Sequence, residues 1–76
     1  MKVDIYTKSS CPACIFAKNY MERRGMIYEE HIVDKDIPVD EVRKLFPQAT
    51  TVPIIVIDEN FVGGYPELAE FVEKAA

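Results

Sequence analysis

Three segments of different periodicity follow one another within residues 2–33, and their succession limits the possible folds more than any other feature. Lys2-Val3-Asp4-Ile5-Tyr6-Thr7 alternates polar and apolar residues, the period of a half-buried strand. Ala17, Tyr20 and Met21 then recur at helical spacing among charges, from about Pro12 onward. Arg23-Arg24-Gly25 closes that helix, since cations suit its negative end and glycine takes the left-handed conformation there. The arginines read as a solvated helix end rather than a docking patch. Residues 26–33 return to period two, with Met26, Tyr28, Glu30 and Ile32 on one face and Ile27, Glu29, His31 and Val33 on the other. Strand, helix and strand at these lengths form a βαβ unit, so the two strands are expected to run parallel with a right-handed crossover.

Asp34-Lys35-Asp36 breaks the pattern, and Pro38 opens a short helix over residues 38–46 with the apolar stripe Val39, Val42, Leu45 and Phe46. Pro47 stops it. After a loop, Ile54-Ile55-Val56-Ile57 is a continuous β-branched run, and Asp58-Glu59-Asn60 is a turn. Phe61-Val62 with Gly63-Gly64 completes an antiparallel hairpin. Leu68, Phe71, Val72 and Ala75 follow i, i+3, i+4, i+7 and predict a closing helix over residues 66–75. The order βαβ-α-ββα describes an α/β protein with a four-stranded mixed sheet and helices on both faces. That is a minimal thioredoxin fold, expected as a single domain over 1–76.

The first strand-to-helix junction holds the chain's only two cysteines, in Cys11-Pro12-Ala13-Cys14. A helix N-terminus has unpaired N–H groups and partial positive charge, so it favours a thiolate, the nucleophilic form of cysteine. Pro12 suits the first helical position, where its missing N–H costs nothing. Cys14 lies about one turn further on the same face, within reach of a mixed disulfide formed on Cys11. Cys11 is therefore the expected attacking thiol and Cys14 the resolving one. A closed zinc site needs four ligands, whereas this chain offers two cysteines and His31, so a metal would have to be shared between chains. A structural bridge closing so short a loop would constrain the unfolded chain little. His31 reads as an exposed strand residue, since the helix end already supplies the thiolate.

At 76 residues the chain is near the lower size at which a core holds itself together. The net charge of −4 and pI near 4.8 argue against nucleic-acid binding. No apolar run approaches the roughly 18 residues of a membrane span, and no basic-then-apolar leader is present, so a cytoplasmic monomer without membrane attachment is expected. Two reactive thiols suit a reducing compartment.

Thr7-Lys8-Ser9-Ser10-Cys11-Pro12-Ala13-Cys14, Thr51-Val52-Pro53, and Gly63-Gly64-Tyr65 with Leu68 together resemble a glutaredoxin, over essentially the whole chain. The resemblance implies a cis proline at Pro53 facing the cysteines. It also implies that the Val52 backbone pairs with the cysteine part of glutathione, as an added strand would. Lys8 then favours the thiolate and meets a glutathione carboxylate, while Gly63-Gly64 lets the ligand approach the start of the last helix. Pro12, Ala13, Thr51 and Tyr65 complete the implied binding surface.

Three positions depart from the family pattern. Ala13 stands where many relatives have tyrosine. Ala49 stands where relatives can carry arginine or glutamine. Pro66 replaces the aspartate that usually binds the γ-glutamyl amine, and the neighbouring Glu67 points about 100° round the helix. The implied activity is reduction of protein disulfides and glutathione mixed disulfides, with glutathione as reducing co-substrate, no metal, and ribonucleotide reductase as a candidate client. The altered contacts raise a second reading, an electron carrier recharged by thioredoxin reductase. A third, an iron–sulfur cluster-binding homodimer, is disfavoured by Pro12 and by the weakened glutathione contacts.

Overall fold

A computed structural model describes residues 1–75, so the last position of the expected 1–76 domain lies outside the described residues. The elements are β1 (Val3–Thr7), α1 (Pro12–Arg23), β2 (Glu29–Ile32), α2 (Val39–Leu45), β3 (Ile54–Ile57), β4 (Asn60–Gly63) and α3 (Tyr65–Ala75). The sheet order is β2-β1-β3-β4, with β1 and β2 parallel and the other two pairs antiparallel. This is the expected α/β topology.

The continuous apolar run of β3 follows from its place inside the sheet, where helices cover both faces. Ile55 and Ile57 join Val3, Ile5, Ala17, Met21 and Leu68 in a core beneath α1 and α3. Ile54 and Val56 face the opposite way, with Val33 and Val42 beneath α2. Burying each large side chain of this kind contributes about 1.5–3 kcal/mol. The stripe on α3 divides unequally: Leu68 is fully buried, Val72 packs at the core margin and Phe71 is exposed. The side chain of Ala75 lies outside the described ones.

Three sequence expectations need correction. The second strand was expected from Met26 but pairs only from Glu29, opposite Asp4. Gly25 (φ +68°) ends α1 with bonds from its own N–H to Glu22 O and from Met26 N–H to Met21 O. These are the paired bonds of a Schellman cap, so Met26 is committed to the helix end. The predicted alternation persists nonetheless, since Met26 and Tyr28 pack on the core while Ile27 is exposed.

His31 is half-buried rather than exposed. Parallel pairing sets it beside Tyr6, on whose ring it stacks at 4.7 Å, and its Nε2 lies 3.0 Å from Asp4 Oδ1. The helix expected over 38–46 is shorter, because Pro38 is its N-cap and Phe46 its C-cap. Asp34 supplies the missing side-chain cap by accepting from Val39 N–H at 3.1 Å. Leu45 is 54 % exposed, sitting at the outer end of an apolar arc about 120° wide, whereas Val42 is buried.

The hairpin turn has Asp58 and Glu59 both at positive φ, +51° and +67°, the conformation whose twist matches antiparallel strands. β4 then leads into α3, which begins at Tyr65, one residue before the expected start. The Tyr65 ring meets Phe16 and Tyr20 of α1, locking the two helices together next to the cysteines. Among the described residues no helix is long and apolar enough to cross a membrane.

Candidate active site

The junction between β1 and α1 fixes Cys11 as the helix N-cap, with extended backbone (φ −112°, ψ 101°) and Pro12 following in the first turn. Its Sγ accepts the Cys14 N–H at 3.2 Å, so the sulfur occupies the place that a capping oxygen would take. Ser10, immediately before, adopts a left-handed φ of +58° that turns the chain into the helix. Cys11 and Cys14 are joined in a disulfide with their Cα atoms 5.3 Å apart. Cys11 is partly exposed while Cys14 is only 2 % exposed, so an approaching group meets Cys11 first.

Beside the cysteines is a depression lined by Lys8, Ser9, Ser10, Lys18, Glu30 and Ile32. Glu30 Oε2 accepts from the Thr7 hydroxyl at 2.7 Å and from Lys18 Nζ at 3.0 Å. The Thr7 bond does most to hold the Glu30 carboxyl below its ordinary range, and Lys18 adds to it against the opposing effects of burial and Asp36. These three residues tie β1, α1 and β2 together beneath the disulfide. Lys18 stands four residues after Cys14, a same-face spacing.

A second, larger groove of about 490 Å³ adjoins this region. It is lined by Ala13, Thr51, Val52, Pro53, Gly63, Gly64 and Tyr65, along with Gln48, Ala49, Pro66 and Glu67. The Val52–Pro53 peptide is cis. Lys8 and the cysteines thus line one depression, and the residues of the two later motifs line the groove next to it. Pro12 lines neither and lies exposed on the first turn of α1.

One expectation about this groove is revised. Glu67 was expected to point about 100° round the helix from Pro66. Instead, Glu67 folds back and its Oε1 accepts the Gly64 N–H at 2.8 Å. Gly63, at φ +131°, has no room for a side chain there: a Cβ would lie 2.8 Å from Glu67 Cγ. Sequence reasoning also left Thr7, Lys18 and Glu30 without a role. The Glu67 bond had a legible signal, since a helix-start residue followed three positions later by Glu is the spacing of a capping box.

Elsewhere, Asp4, Glu29 and His31 bring potential ligand atoms within 4.8 Å of one another on the sheet. His31 and Asp4 already satisfy each other at 3.0 Å.

The family model for Glutaredoxin matches residues 3–62 of the chain. Glutaredoxin 1 of Rickettsia prowazekii (strain Madrid E) is 40% identical over 67 residues, covering 84% of this chain and 70% of that protein. Glutaredoxin 3 of Escherichia coli (strain K12) is 36% identical over 66 residues, covering 87% of this chain and 80% of that one. Among solved structures, Glutaredoxin 1 from Francisella tularensis complexed with cacodylate superposes with a TM-score of 0.83 at 32% identity. That superposition covers 97% of this chain and 94% of that one.

Proposed function

Because the chain belongs to the glutaredoxin family and is a thiol–disulfide oxidoreductase, we propose that it reduces protein disulfides and glutathione mixed disulfides through Cys11 and Cys14, with glutathione returning the electrons. The observation that carries this reading is the Cys14 N–H directed at Cys11 Sγ at the start of α1, with Cys14 buried behind it. In the dithiol form, that N–H and the helix end favour a Cys11 thiolate.

The thiolate attacks one sulfur of a disulfide R–S–S–R′. A Cys11–S–S–R bond forms, and R′S⁻ leaves and takes up a proton. Cys14, as thiolate, then attacks Cys11 Sγ, releasing RS⁻ and forming the intramolecular disulfide. Two electrons pass to the substrate, and two glutathione molecules restore the dithiol as they become glutathione disulfide. Val52 and the following Pro53 supply backbone beside the sulfur for strand-like pairing with the substrate's cysteine. Lys8 assists the thiolate electrostatically. Ala13, Thr51, Gly63, Gly64 and Tyr65, which line the groove, complete the contact surface, and Pro12 sets the first turn of α1 instead of lining it. Cytoplasmic work on clients such as ribonucleotide reductase follows by family analogy.

The test is turnover of a glutathione mixed disulfide with glutathione, glutathione reductase and NADPH, beside a parallel reaction with thioredoxin reductase and NADPH alone. Activity in the first, lost in Cys11→Ser, supports the reading. Activity in the second alone would transfer the electron source to thioredoxin reductase and overturn the assignment of glutathione.

A further inference from the structure

Three metal-ligating side chains converge on the face of the sheet turned away from the cysteines. Successive strand residues point to opposite faces, so Glu30 serves the side beneath the disulfide while Glu29 and His31 share the other. Parallel register sets Glu29 opposite Asp4 and His31 opposite Tyr6. A carboxylate oxygen from each acid and a ring nitrogen of His31 thus lie within 4.8 Å of one another. Asp4 is only 8 % exposed, while Glu29 faces solvent, so the cluster is rigid at its base and open on one side. The imidazole is held in place: it stacks on Tyr6, whose ring meets Phe46 edge-on at 5.1 Å. Two carboxylates opposite each other on neighbouring strands repel, and a cation between them relieves that repulsion.

We propose that Asp4, Glu29 and His31 form a binding site for a divalent transition-metal cation, with zinc as the type. The donor set selects the class: imidazole suits zinc and its neighbours, whereas calcium and magnesium take oxygen ligands. Three protein ligands and a water complete the four-coordinate shell of zinc. The geometry is close to that already. Ligand atoms about 2.0–2.2 Å from a tetrahedral zinc stand about 3.4 Å apart, against 3.0 Å for His31 Nε2 and Asp4 Oδ1. A small widening of that pair admits the ion, and Glu29 closes the shell from the solvent side. Zinc takes the place of a proton on Nε2, and that proton passes to water. The ligands are separate from Cys11 and Cys14, so the proposal stands apart from the thiol-exchange reading.

The test is calorimetric titration of the disulfide form with zinc chloride, since oxidised cysteines offer no thiolate to the metal. One zinc per chain is expected, and Glu29→Gln and His31→Gln should each weaken binding at least about tenfold. His31 is the chain's only histidine, so its imidazole signals in the NMR spectrum of the wild type report ligation without any substitution. They should shift along the same titration, and magnesium chloride at equal concentration should leave them in place. Absence of zinc binding, or imidazole signals unmoved by bound zinc, would overturn the proposal. So would affinity unchanged in either variant, because the ion would then be held elsewhere. One zinc per two chains would replace the three-ligand site with one shared between copies and overturn it too. Imidazole signals that move equally with magnesium would overturn the assigned class of metal.

Discussion

Replacing Thr7 by valine removes one hydroxyl from beneath the disulfide while keeping the side chain's shape. Thr7 is 2 % exposed, and its hydroxyl donates to Glu30 Oε2 at 2.7 Å. A hydrogen bond to a charged group is worth about 1.5–3 kcal/mol. The Glu30 side chain is 28 % exposed and keeps its Lys18 contact, so water and Lys18 recover part of the loss. The valine leaves no unpaired donor behind. The expected destabilisation at pH 7 is therefore near the low end, about 1.5 kcal/mol.

The pH dependence follows from the sign of the Glu30 shift. Its folded-state carboxyl lies below the ordinary value of 4.5, chiefly through Thr7, so the folded protein binds fewer protons than the unfolded chain. The stabilisation is fully present above 4.5 and is lost as pH falls through the lower, folded-state value. Once Glu30 is protonated the bond is between neutral groups, and the cost of Thr7→Val should shrink to about 0.5 kcal/mol. Urea unfolding of the disulfide form, followed by circular dichroism at pH 7 and at acid pH, measures both costs. Equal costs at the two pH values would refute the reasoning, as would a negligible cost at pH 7.

Leu68→Ala should cost about 2–5 kcal/mol, because Leu68 is fully buried between α1, α3 and the sheet; the urea midpoint should fall without a change in slope. Gly63→Ala should cost about 1–3 kcal/mol through its φ of +131° and the contact with Glu67, read as a lower Tm. Adding Glu67→Ala to that variant should recover only part of the loss, since removing the contact leaves the backbone angle strained.

Periodicity and punctuation made the architecture legible. The period-two and period-3.6 runs, Pro12 at a helix start, Gly25 at its end and the β-branched run at residues 54–57 each correspond to the element expected. The cysteine pair at the strand-to-helix junction was legible from local chemistry, and the cis Pro53 only through the family resemblance. What stayed hidden depends on long-range register or on bonds between elements. Glu30 meets Thr7 and Lys18 only because β1 and β2 pair with Ile5 opposite Glu30, an alignment set by how α1 crosses over. His31 was misjudged for the same reason, since its partners Asp4 and Tyr6 come from the neighbouring strand. The late start of β2 reflects competition between two local rules: strand alternation includes Met26, but the helix cap holds its N–H. Leu45 fits the apolar stripe by spacing alone, yet a helix of seven residues presents too narrow a buried face to cover it.

The central claim is that Cys11 forms the mixed disulfide and Cys14 releases it. Its most direct test is the intact mass of Cys14→Ser and Cys11→Ser after reaction of each reduced variant with glutathione disulfide. The account predicts that Cys14→Ser accumulates one glutathione adduct, assigned to Cys11 by peptide mapping, because the resolving thiol is gone. Cys11→Ser should stay unmodified over the same interval, its remaining sulfur being 2 % exposed in the wild-type fold. Rapid adduct formation on Cys14 in Cys11→Ser, with none on Cys11 in Cys14→Ser, would reverse the two roles and contradict the account.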